Sequence, residues 1–149
     1  MKLSEHFTLA EFTASDTAAR KGIDNSLPDD LLANALATAA MMERIRDALG
    51  GKPIIITSGY RSTALNAAIG SSNTSDHPKA CAVDFKCPSF GTPHEVAKHL
   101  STRIESLGIG QIIQEYGQWV HVSTRQPGKV INRIITVSVR GTEPGIRPA

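Results

Sequence analysis

The sequence predicts an α+β fold, a small, mostly antiparallel sheet flanked by helices. Three observations carry that expectation. Two stretches place apolar residues at spacings of three and four: Leu32, Leu36, Ala39, Met42, Ile45 and Leu49, then Val96, Leu100, Ile104 and Leu107. Short β-branched runs lie between and after them, at 53–58, 82–86, 109–115 and 119–124. The last two of these runs flank Tyr116-Gly117-Gln118, which is a hairpin signal.

Taken in order, residues 1–25 are turn-rich, with Phe7, Leu9, Phe12 and Ile23 as core anchors. Thr8-Leu9-Ala10-Glu11 has the form of a capping box and starts a short helix at Leu9. Ser26-Leu27-Pro28-Asp29 opens the first long helix, with a capping serine, an early proline and an acid in the first turn. Gly50-Gly51 closes it. Pro53 to Ser58 reads as a buried strand that Gly59 breaks, and Ser62 caps a short helix through Leu65 and Ile69. A polar loop, 71–75, leads to a second strand at 82–86. Thr92-Pro93-His94-Glu95 is another capping box, and Gly108 and Gly110 end the helix that it begins. Residues 130–139 alternate in part and add a strand. The stretch 141–149, with Pro144, Gly145 and Pro148, reads as a flexible tail, so the working domain is expected at 1–140.

Bulk composition excludes several classes. At 149 residues the chain is one domain, long enough to bury a core, with 40% hydrophobic and 20% charged residues. No apolar run approaches the ~20 residues of a membrane span. The net charge of +2 comes without a Lys/Arg cluster, so no nucleic-acid partner is expected. The opening residues hold no apolar signal-peptide core. The expectation is therefore a protein made in the cytoplasm that reaches its place of action by another route. Cys81 and Cys87, six residues apart, read as buried free thiols rather than a disulfide framework.

The chemistry concentrates in two places. His77 is followed seven residues later by Asp84, inside the apolar run Ala82-Val83-Asp84-Phe85, and His121 sits in the middle of the 119–124 strand. Two imidazoles and one carboxylate are a common ligand set for a catalytic zinc ion. A carboxylate whose neighbours ask to be buried needs a cation, and that cation is either a metal ion or an arginine such as Arg61 or Arg133. His121 is either a ligand or a structural strand histidine. His6, His94 and His99 compete poorly: His6 is terminal, and the spacing of five between the other two keeps them off a shared helix face.

A hydrolytic zinc site also needs a general base. Glu115 is the leading candidate. If the hairpin loop is Tyr116 to Gln118, Glu115 pairs with Trp119 and shares a face with His121; a two-residue loop would turn it away. Arg61 either grips a carboxylate or an oxyanion through paired hydrogen bonds or sits on the surface at a helix start.

With these residues in place, a resemblance emerges. Ser75-x-His77 followed by Ala82-x-Asp84 resembles the S-x-H-x-x-G-x-A-x-D motif of the zinc D-Ala-D-Ala carboxypeptidase and peptidoglycan endopeptidase family, the lysostaphin/D-Ala-D-Ala-type metallopeptidases. Ser58-Gly59-Tyr60-Arg61-Ser62 is similar to the family's S-G-[FY]-R-S segment, and Trp119-Val120-His121-Val122 to its last ligand strand. The opening His6-Phe7-Thr8-Leu9-x-Glu11-Phe12 is similar to small phage and prophage members. The resemblance implies one zinc ion on the sheet held by His77, Asp84 and His121. It implies Arg61, Ser75 and Trp119 at the substrate, and a peptidoglycan stem peptide as that substrate. The implied protein is a monomeric, endolysin-like peptidase that acts at the cell wall or periplasm once released. Two positions depart from the pattern. Ala80 stands where the motif has glycine. Gln118 stands where many members place the catalytic acid, three residues before the last histidine, so Glu115 must substitute. If it does not, the chain is a zinc-bearing cell-wall binding module without hydrolytic activity.

Overall fold

The computed structural model describes residues 1–149 and forms the expected α+β arrangement. Helices α1 (Leu9–Thr13), α2 (Asp16–Lys21), α3 (Leu32–Ala48), α4 (Thr63–Ala68) and α5 (Pro93–Ser101) accompany one sheet. Its strands are β1 (Ile55–Ser58), β2 (Ala82–Lys86), β3 (Gln111–Glu115), β4 (Trp119–Ser123), β5 (Arg133–Ser138) and β6 (Gly141–Pro144). Their order across the sheet is β1-β2-β4-β3-β5-β6, and every neighbouring pair is antiparallel except β3 and β5.

Local signals set most helix starts. Thr8 and Glu11 close the capping box of α1, each side chain bonding the other's backbone N–H. Thr92 and Glu95 do the same for α5, and Ser62 caps α4 by accepting from Leu65 N–H. Each such cap stabilises its helix by about 1 kcal/mol. Helix α3 begins later than its sequence signal: Ser26 bonds Asp24 instead of capping, and a 3₁₀ turn at Asp29–Leu31 leads into Leu32. Its buried face runs through Ala35, Thr38, Ala39, Met42 and Ile45, with Met41 beside them. Leu36, expected in that stripe, lies one position off it and is 43% exposed.

Side-chain alternation gives the sheet two distinct faces. Val83, Phe85, Ile112, Val120 and Val122 form one core cluster with Met41, Met42 and Ile45 of α3 and Val96 and Leu100 of α5. Each large side chain buried in that layer contributes about 1.5–3 kcal/mol. The opposite face carries Asp84, His121, Ile113, Glu115 and Trp119, which line a cleft. The hairpin between β3 and β4 is a three-residue loop in which Glu115 pairs with Trp119; Tyr116 and Gly117 both take positive φ.

The sheet differs from expectation at both edges. Residues 53–58 read as a buried strand, yet β1 pairs only with β2, and Ile55 is 53% exposed. At the other edge, the stretch expected to be a flexible tail begins with β6, which pairs with β5 from Ser138↔Gly141 to Ile135↔Pro144. The chain then continues in place, with Gly145 N–H donating to Ile134 O and Gln114 Nε2 donating to Arg147 O. Pro144 is compatible with a strand there because an edge position leaves one side of the backbone without ladder bonds.

Ala80 needs the backbone freedom that its motif position suggests. It ends the 3₁₀ turn His77–Lys79 at φ 58, in the left-handed region, while 98% of its surface is buried and its carbonyl accepts from Thr38 Oγ1 at 2.7 Å. Alanine tolerates that conformation at a cost of about 1–2 kcal/mol; a β-branched residue fits it worse. Ala80→Val should therefore lower stability by about 2–4 kcal/mol, adding backbone strain to overpacking. Urea unfolding monitored by circular dichroism would read this as a lower midpoint at unchanged slope.

Candidate metal centre

His77, Asp84 and His121 converge on the sheet face that the core leaves free. Asp84 on β2 pairs directly with His121 on β4, so both side chains rise from one row of the sheet. His77 comes from the 3₁₀ turn before β2. The three are buried, and one ligand atom from each lies within 4.8 Å of the others. His121 Nδ1 stands 2.9 Å from Asp84 Oδ1, and His77 Nε2 stands 3.4 Å from the same oxygen. A tetrahedral zinc site with bonds of ~2.0–2.1 Å has edges of about 3.3 Å. The cluster has that scale, so the residues present fit one such ion.

The ligand atoms are aimed from behind. His77 Nδ1 lies 2.7 Å from the Gly59 carbonyl, which leaves Nε2 turned toward Asp84. A backbone acceptor on the far ring nitrogen is the usual way of fixing a metal-binding imidazole. The turn carrying His77 is held from α3, where Asn34 Nδ2 donates to Lys79 O and Thr38 Oγ1 to Ala80 O. Asp76 anchors its other side, accepting from Ser123 Oγ at 2.7 Å and from Arg125 Nη1 at 2.6 Å.

Of the two cations open to Asp84, an arginine is in place on one oxygen, and the other oxygen stays turned to the histidine pair. Asp84 Oδ2 accepts from Arg61 Nη2 at 3.2 Å, while Oδ1 faces the two histidines. Burial alone would push its carboxyl pKa up, but hydrogen bonds and charge from His121 and His77 outweigh that and hold it far below the usual carboxylate range. Burial also lowers the pKa of His77, despite the Asp84 carboxylate. For His121 the balance tips the other way: burial is outweighed by Asp84 and Glu115, and its pKa rises.

Arg61 is more committed to the protein than its sequence position suggests. Nε donates to Ser58 Oγ, Nη1 to Asn66 Oδ1 and Ser71 Oγ, and Nη2 to Asp84. All but one of the guanidinium N–H groups are thereby used. Arg133 does not reach Asp84; its Nε donates to Gln111 Oε1 at 2.7 Å.

The cleft over the cluster has a volume of about 320 Å³. Arg61, Ser75, Glu115, Trp119 and the three candidate ligands all line it. Ser75 Oγ accepts from His77 N–H, so it steadies the turn while facing the cleft. Glu115 Oε1 stands 3.8 Å from His121 Nδ1. Burial, and then the negative charge of Asp84, raise the Glu115 pKa, although His121, Arg61 and the Trp119 indole pull it back. That indole N–H lies close enough to favour the Glu115 charge, yet it is buried and closes no hydrogen bond of ordinary geometry. Gln118 does not line this cleft; it is exposed in the hairpin loop and borders a separate depression near the start of α5.

A buried support escaped the sequence reading. Asn25 Nδ2 donates to Thr13 O and Tyr60 O, and its Oδ1 accepts from Ser62 N–H, tying the Gly59–Ser62 loop to the N-terminal helices. An asparagine just ahead of a helix-start signal carries no local mark of that role.

Comparison with known proteins places the chain in a family. The family model described as Peptidase M15 matches residues 5–123. The chain belongs to the peptidase M15 family. The matched region contains all five helices, the first four strands, and His77, Asp84, Glu115 and His121. This M15 chain is also 37% identical over 59 residues to a zinc D-Ala-D-Ala carboxypeptidase of Streptomyces albus G. That alignment covers 40% of the present chain and 23% of the relative.

Gly59 is the contact through which the N-terminal part of the M15 domain bears on His77. A Cβ there would lie 2.5 Å from Phe12 O, so only glycine allows α1 this close, with Tyr60 N–H donating to the same carbonyl. Gly59→Ala must shift the loop whose carbonyl orients His77. It is expected to weaken zinc binding by about 10–100-fold with helix content retained. Competition with a chromophoric chelator measures the effect; unchanged affinity would mean that His77 is oriented without this contact.

Proposed function

We propose that this domain is a zinc-dependent peptidase that hydrolyses a peptide bond in peptidoglycan stem peptides. The reading rests on the buried His77–Asp84–His121 cluster at the floor of a polar cleft, with a carboxylate beside it, in a chain of a peptidase family. The name of the Streptomyces relative supports zinc as the metal and the D-Ala-D-Ala terminus as the substrate class.

His77 Nε2, His121 Nδ1 and an oxygen of Asp84 would hold the ion. A zinc ion held there would supply Lewis acidity to the attacking water and to the carbonyl under attack. Glu115 takes the proton from the attacking water. As the carbon–nitrogen bond breaks, it returns that proton to the leaving amine, so the products are a carboxylate and a free amine. Its position follows from the three-residue hairpin, which turns its side chain to the face of His121. Trp119, paired with Glu115 across the hairpin, lines the same cleft and offers substrate an aromatic surface. Asp76, the other carboxylate nearby, already serves Ser123 and Arg125 and is not free for proton transfer. Arg61 holds Asp84 in orientation and keeps one N–H for a substrate oxygen. Ser75 borders the substrate beside His77. An endolysin-like role in phage lysis draws support from the opening residues, which are similar to those of small phage members.

Two substitutions test the reading. Glu115→Gln is nearly isosteric and should keep fold and zinc while reducing turnover of purified peptidoglycan by about 10²–10⁴-fold. Near-full activity in that variant would place the base elsewhere. A wild-type protein that binds zinc tightly but releases no product detectable by mass spectrometry would favour the binding-module alternative. Arg61→Lys keeps the charge but cannot reproduce contacts to Ser58, Asn66, Ser71 and Asp84 together. It should lower zinc affinity and kcat/KM together, each by about 10-fold or more. Wild-type values for both would remove Arg61 from the site.

A further inference from the structure

Arg61 and Arg133 line the cleft, and only one of them is neutralised there. Arg61 is spent on Asp84 and its polar neighbours. Arg133, on β5, is half-buried and stands in no ion pair; its one side-chain bond runs from Nε to Oε1 of Gln111, itself buried on β3. That bond fixes the Nε edge of the guanidinium and leaves the Nη1/Nη2 edge without a partner. The carboxylates of the cleft do not supply one. Asp84 is held by Arg61 and the histidines, Asp76 by Ser123 and Arg125, and Glu115 lies against His121. A partly desolvated guanidinium with a free paired edge is a receptor for a planar anion, above all a carboxylate.

Sheet register gives the reach. Ile135 pairs with Ile113, which pairs with His121, and Arg133 lies two residues before Ile135 on the same face. Two strand spacings of ~4.8 Å and two residue rises of ~3.3 Å put the Arg133 and His121 Cα atoms about 12 Å apart. The Arg133 side chain leans across part of that span, since its Nε reaches Gln111 on the intervening strand. What is left is on the order of one or two peptide units of ~3.8 Å. A carboxylate held by Arg133 therefore lies within a residue or two of a bond placed over His121.

From this geometry we infer that Arg133 binds the terminal carboxylate of the residue released by hydrolysis, so that the enzyme selects peptides with a free C-terminus and acts as a carboxypeptidase. This deepens the peptidase reading and rests on it. It also assigns the carboxylate to Arg133 rather than to Arg61.

The test uses one diacylated L-Lys-D-Ala-D-Ala peptide as its free acid and as its C-terminal amide. Binding of both is measured by calorimetry on the zinc-loaded Glu115→Gln protein, with Arg133 intact and with Arg133→Met or Arg133→Lys added. Hydrolysis is measured in parallel on protein that keeps Glu115. With Arg133 intact, the acid should bind about 10–100-fold tighter than the amide. That ratio should fall to near one in Arg133→Met and to an intermediate value in Arg133→Lys, with zinc content unchanged. In hydrolysis the loss should appear mainly in KM. If Arg133→Met does not fold, Arg133→Lys carries the comparison, because it keeps the charge and aliphatic stem and loses the fork. Equal binding of acid and amide by the intact cleft overturns the inference, as does a preference that survives both substitutions. Hydrolysis of the amide as fast as the acid leaves the peptidase reading standing and removes the role of Arg133. An Arg133-dependent preference for the acid without any hydrolysis supports the carboxylate site at Arg133 and overturns both the peptidase reading and the carboxypeptidase assignment built on it.

Discussion

One buried carboxylate organises this molecule. Asp84 sits in the middle of β2, between Val83 and Phe85, which belong to the core. An ionised carboxylate in that setting is costly unless each oxygen has a charged or hydrogen-bonding partner. The fold meets the requirement with one arginine on Oδ2 and two imidazoles on Oδ1. Each of these partners comes from a different element: the loop after β1, the turn before β2, and β4. Satisfying Asp84 therefore fixes how the loop, the turn and the strand meet, and their meeting point is the candidate metal centre.

The supports extend outward in layers. Arg61 is oriented by Ser58, Asn66 and Ser71; His77 is oriented by the Gly59 carbonyl; and the loop bearing Gly59 and Arg61 is tied by Asn25 to the N-terminal helices. Residues distant in sequence thereby hold the site. Such polar networks are stiff when complete, since each member would be left buried and unsatisfied if a partner moved. The opening helices, which supply none of the candidate ligands, act as the outer wall of this support.

Much of this was legible in the sequence because it rests on local rules. Thr8/Glu11, Ser62 and Thr92/Glu95 announce helix starts through contacts no more than three residues apart. The hairpin length and side-chain alternation together put Glu115 on the face of His121. What stayed hidden depends on which elements become neighbours. The edge position of β1, the pairing of β6 with β5 and the clamp made by Asn25 are tertiary facts, and an Ile-Ile-Ile run or a lone asparagine looks alike in either setting. Ala80 lies between these cases: the motif's preference for glycine marked a positive φ, and the chain adopts it with alanine all the same.

The pairing of β2 with β4 also bears on how the molecule forms. Asp84 and His121 are direct neighbours in the sheet but 37 residues apart in the chain, with α5 and β3 between them. Closing that loop costs entropy before any contact rewards it. The compensating contacts are apolar: Val83 beside Val122 and Phe85 beside Val120, on the face turned away from the ligands. The core contacts and the ligand row belong to the same two strands, so the pairing that buries the one assembles the other. An ion that needs both strands would bind the folded chain and not the unfolded one, and would stabilise the fold by mass action.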